Sequence, residues 1–115
     1  MSLPPAPKKN YYHIHALDIP NAQRAKHNAG HLEITLPLVE SGYIVAAGGL
    51  LPQTAHSTDA DAFTKISGSF FIVQADTAEQ AWETLKKDPF WHSGEVWDHE
   101  KTTVTPAYVA VPRVE

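Results

Sequence analysis

Gly68-Ser-Phe-Phe-Ile-Val-Gln-Ala75 runs directly into Asp76-Thr77-Ala-Glu-Gln80-Ala-Trp82-Glu-Thr-Leu85-Lys-Lys87, so the chain changes its structural period within three residues. The first eight are centred on the β-branched and aromatic run Phe70-Phe-Ile-Val73, the composition of a strand. Thr77 and Gln80 stand where a capping box needs them, and Ala78, Ala81, Trp82 and Leu85 follow at helical spacing. The stretch predicts a strand over 68–75 and a helix over 78–87.

Outward from it, Asp88-Pro-Phe-Trp-His-Ser-Gly94 is a turn-rich connector, and Glu95 to Pro106 alternates as a last strand. On the other side, Gln53 to Ser67 is polar and aperiodic, a loop long enough to suggest a functional role, and Tyr43 to Leu51 precedes it as a strand. Tyr11 to Leu17 is the first strand. Asp18-Ile-Pro20-Asn21 then starts a helix, with Asp18 and Asn21 as cap candidates. In that helix Ala22, Ala25, Ala29, Leu32 and Leu36 form one stripe suited to packing on a sheet. Pro37 should end or kink it near Thr35, with Leu38 to Ser41 a further turn closed by Gly42.

The order is β-α-β-β-α-β. It predicts an α+β, ferredoxin-like fold in which a four-stranded antiparallel sheet carries two helices on one face. The uncovered face predicts a homodimer formed sheet to sheet. Residues 1–10, with Pro4, Pro5 and Pro7, read as a Pro-rich N-terminal arm, and 11–115 as one domain.

Of 115 residues 43% are hydrophobic and 19% charged, enough apolar material for a core. Net charge is −4 and the nine Lys and Arg are scattered, which argues against nucleic acid and against an anionic membrane surface. The absence of cysteine excludes thiol catalysis, disulfides and thiolate metal sites. With no apolar leader and no apolar run long enough to span a membrane, the expected location is cytoplasmic.

The stretch from Tyr11 to Pro106 resembles the YCII-related domain. The resemblance rests on Asp18-Ile-Pro20, Arg24 with His31-Leu32 seven residues on, Gly42 through Ala47-Gly48-Gly49, Gly68-Ser69, and Asp88-Pro89-Phe90 with Ser93-Gly94. It implies a dimeric α+β barrel whose site holds a His–Asp dyad, falling here on His31 and Asp18. Where the family often has an arginine three residues before that histidine, this chain has Asn28.

Arg24, His27, Asn28 and His31 share a narrow arc of the first helix, which is either a solvated face or the wall of a site. With the resemblance, His31 and Asp18 become the catalytic candidates and Arg24, His13, His15 and His27 the ligand-binding ones. His13 and His15 share one face of the first strand, but no third ligand follows at a diagnostic spacing, so no metal is assigned. Imidazole titrates near neutrality and suits proton transfer, and a guanidinium suits a carboxylate or phenolate. The function expected is a cofactor-free lyase, isomerase or cyclase moving protons on a small aromatic or polyketide-like molecule. A non-catalytic small-molecule-binding or dimerising accessory protein is the alternative.

Overall fold

A computed structural model describes residues 10–111. The predicted N-terminal arm falls outside them but for Asn10. The elements are β1 (Asn10–Asp18), α1 (Arg24–Glu40), β2 (Ile44–Leu50), β3 (Gly68–Ala75), α2 (Ala78–Lys86), α3 (Pro89–His92) and β4 (Trp97–Ala107), with a 3₁₀ turn at Ala62–Lys65 inside the long loop. The sheet order is β2-β3-β1-β4 and every neighbouring pair is antiparallel. This is the ferredoxin-like arrangement.

Register decides which residues meet the helices. Ile14 lies between Phe71 and Val104, and Ala16 between Ser69 and Thr102. With Tyr12, Val73 and Ala75 these side chains point to the helix-covered face, where Ala81 and Leu85 of α2, Phe90 of α3, and Val96 and Trp97 close the core. The alternate residues, among them Tyr11, His13, His15, Phe70 and Ile72, occupy the opposite face and stay half-exposed.

Three local expectations change. α1 passes through Pro37 to Glu40 instead of ending near Thr35. Pro37 and Glu33 are both on the exposed side, so the carbonyl that loses its amide partner faces water, while half-buried Leu38 holds the last turn against the core. Gly42, at φ +83°, closes the helix as expected. Neither Asp18 nor Asn21 caps α1. The N-cap is Gln23, which makes no side-chain cap bond. Asn21 instead takes φ +57° to turn the chain, and the turn is pinned to the segment before β4 by Ile19 N–H to Val96 O and Gln23 N–H to Glu95 O, both 2.8 Å.

The third change inverts α1. Ala25, Ala29, Leu32 and Leu36, expected to pack on the sheet, are exposed, and of that stripe only Ala22 packs against the core. Arg24, His27, Asn28, His31, Ile34, Thr35 and Leu38 turn inward instead. A mostly polar helix face is tolerated inside only if its groups find partners.

Candidate functional site

Asp88 is the N-cap of α3 and is 3% exposed; its Oδ1 accepts the Phe90 N–H at 2.9 Å. Pro89 occupies the first helical turn, where its missing N–H costs nothing. The other carboxylate oxygen, Oδ2, lies 2.6 Å from His31 Nδ1. A carboxylate can only accept, so Nδ1 carries the proton of that bond and Nε2 is the nitrogen left for a ligand. The imidazole lies flat on Phe90, centroids 4.0 Å apart and planes within 2°, with Trp97 edge-on at 6.1 Å.

His31 therefore has a carboxylate partner, but it is Asp88 and not the expected Asp18. Asp18 is fully engaged elsewhere: Arg24 Nε and Nη2 take its two oxygens at 2.5 and 2.8 Å, a bidentate pair with the carboxylate almost buried. Six residues separate Asp18 from Arg24, and the Asn21 turn folds the helix start back onto the end of β1.

Arg24 Nη2 also donates to Ser69 Oγ at 2.9 Å, and Trp97 Nε1–H donates to the same oxygen at 3.1 Å. With both lone pairs of Ser69 taken, its hydroxyl hydrogen is the bonding capacity that remains. The arrangement makes Ser69 a directed donor and leaves it no nucleophilic lone pair. Arg24 is held from three sides, since its guanidinium carbon also sits 5.1 Å from the Phe90 ring centre.

These groups open on one pocket of about 890 Å³ between α1, the β2–β3 edge and the Phe63–Ser67 segment. Asp18, Arg24, His31, Ser69, Phe71 and Phe90 are among its walls. The volume is at the upper end of the range for small-molecule sites.

The other sequence candidates lie apart. His13 and His15 stack on each other, ring centres 6.4 Å apart, on the opposite face of the sheet and outside this pocket. His27 Nε2 lies 2.8 Å from Glu95 Oε1, which Lys26 Nζ also meets at 3.0 Å. Hydrogen bonds from His27 and then Lys26 hold the Glu95 carboxyl below its ordinary range. His27 is thus tied down at the rim, outside the pocket lining.

Sequence reasoning missed Asp88 and Ser69 as site residues. For Asp88 a signal existed: Asp-Pro before an aromatic pair is a cap and first-turn signature, and a capping carboxylate has a second oxygen to spare. Ser69 carries no such local mark.

A model of the YCII-related domain matches residues 10–104, most of the chain. The chain belongs to the YCII-related family. No curated protein matches it significantly. Among solved structures it is similar to 5-chloro-2-hydroxyhydroquinone dehydrochlorinase TftG from Burkholderia phenoliruptrix AC1100, in complex with 2,5-dihydroxybenzoquinone. The identity is 24%, the TM-score 0.69, and the match covers 85% of this chain and 93% of that one. At that identity the family member and TftG share a fold. None of the helices described is long and apolar enough to cross a membrane.

Proposed function

We propose that this chain is a proton-transfer enzyme of the lyase class that acts on a small oxygenated ring or an enolisable carbonyl compound. The observation that carries the reading is the His31–Asp88 pair on the wall of a large pocket, beside an arginine already fixed by other bonds. Asp88 holds one imidazole tautomer and makes Nε2 the base. Arg24 and the Ser69 hydroxyl supply donors to an oxygen that becomes negative as the proton leaves.

The step balances without a redox partner. Nε2 takes a proton from the carbon next to a carbonyl, and the electrons freed form a new double bond to the neighbouring carbon. A leaving group on the neighbouring carbon departs with its bonding pair, or, in an isomerisation, the proton returns elsewhere. The similarity to a dehydrochlorinase of a hydroquinone supports the elimination branch and an oxygenated ring as substrate. In this reading His31 and Arg24 keep the roles proposed for them from sequence, Asp18 becomes the residue that positions Arg24, and Asp88 takes its place in the dyad.

We also propose that the protein is a homodimer paired through the open sheet face. Tyr11, Leu17, Phe70 and Ile72 support it, being large, apolar and half-exposed on one surface. His13 and His15 would then lie in the subunit interface.

The test is His31→Asn against a panel of halogenated hydroquinones and enolisable ketones. Turnover of at least one by the native protein, reduced about 10²- to 10⁴-fold in the variant, is the expected result. Turnover that survives His31→Asn unchanged would remove the reading.

A further inference from the structure

The pocket is much larger than one ring needs, and its walls divide by chemistry. Arg24, His31 and Ser69 supply the polar end near the start of α1. Farther along the helix the lining passes to Leu32, Thr35 and Val39, facing Ile44 and Ala47 of the β2 edge strand. From His31 to Val39 the helix advances eight residues, about 12 Å. Leu32, of the inverted stripe of α1, and Val39 are 40% and 49% exposed, so both leave apolar surface that a ligand tail in the groove could cover. Leu36, on the same stripe and 55% exposed, does not line the pocket.

Resting on the proposed reading of the His31 site, we propose that the substrate is amphiphilic. An anionic or enolisable head sits on Arg24 and His31, and an unbranched apolar tail of several carbons runs along α1 toward Val39. The lining is continuous from the polar end to Val39, so a ligand anchored at Arg24 can lay its tail along α1 against Leu32, Thr35 and Val39. Across the groove the edge strand presents Ile44 and the small Ala47 to the tail, while Gly49, paired with Ser69 at the polar end, lets the Ile66 side chain pack directly on the backbone.

The probes are 2,5-dihydroxybenzoquinone and its 3-butyl, 3-octyl and 3-dodecyl homologues, titrated below their aggregation limits against the intact protein. Burying methylenes should tighten binding at least about tenfold from the unsubstituted ring to the octyl homologue. Val39→Asn should flatten that gradient, while Leu36→Asn should leave it intact. Arg24→Ala should weaken every member, the unsubstituted ring included. A ring that binds in an Arg24-dependent way with no gain from the chain would overturn the tail and spare the head assignment. A gradient that Val39→Asn does not change, or that Leu36→Asn abolishes equally, would also overturn it. Failure of every homologue to bind would overturn the inference together with the reading on which it rests.

Discussion

Asp88 and His31 are 57 residues apart in sequence and 2.6 Å apart in the fold, joined through Oδ2 and Nδ1. The same carboxylate caps α3, so the dyad is built from a residue whose local task is to start a helix. That double use explains why the pair is held so firmly: moving Asp88 would uncap α3 and disturb Phe90, on which the imidazole is stacked.

Replacing Asp88 by Asn should keep the cap, since both residues cap well, but remove the carboxylate that holds the His31 tautomer and orientation. Turnover should fall about 10- to 100-fold with the fold intact. Asp88→Ala should add about 1 kcal/mol or more of destabilisation through the lost cap. Chemical denaturation alongside kinetics separates the two variants; equal stability of both would show that the capping bond has no energetic role.

Ser69→Ala should cost more than its size suggests. It strips an acceptor from both Arg24 Nη2 and the buried Trp97 Nε1, and an orphaned buried donor costs about 1–3 kcal/mol. Urea unfolding checks it: a loss under about 0.5 kcal/mol would mean that water replaces the hydroxyl.

Much of the fold was legible, because the strand and helix signals of 68–87 are local and agree with their surroundings. The inside of α1 was not. Helical spacing shows that Arg24, His27, Asn28 and His31 share one face and Ala25, Ala29, Leu32 and Leu36 another; it does not say which faces inward. The usual rule, apolar inside, failed because Asp18 at the end of β1, Ser69 on β3, and Asp88 and Glu95 before β4 supply partners for the polar face. The pairing expected between Asp18 and His31 does not form, since sequence proximity to α1 does not reveal that Arg24 occupies both Asp18 oxygens. Pro37 shows a similar limit: its effect depends on whether the abandoned carbonyl meets solvent or core.

The core itself gives a contrast between two tryptophans. Trp97 is 1% exposed and should cost about 3–5 kcal/mol when cut to Ala. Trp82 is only partly buried, its ring 5.6 Å from Trp91 and beneath Lys86, so Trp82→Ala should cost clearly less. Equal losses in denaturant titration would contradict the packing described.

Glu95 gives a pH signature. Its carboxyl is lowered below the ordinary value of 4.5 by bonds from His27 and Lys26, so the stability it contributes is present above that value. It is lost as pH falls through the depressed value. The Tm difference between the native protein and Glu95→Gln should therefore shrink as pH falls below about 4.5. A difference that grows on acidification would reverse the sign and refute the assignment.

The central claim is that His31, held by Asp88 and flanked by Arg24, meets the ligand through Nε2. Titration of ¹⁵N-labelled protein with 2,5-dihydroxybenzoquinone, followed through the imidazole and guanidinium resonances, tests it most directly. The account predicts that the His31 Nε2 and Arg24 signals move together, that the His31 Nδ1 signal keeps its protonated, hydrogen-bonded character, and that Arg24→Ala abolishes the response. Unmoved His31 and Arg24 resonances, or changes confined to His13 and His15 on the opposite face of the sheet, would contradict it.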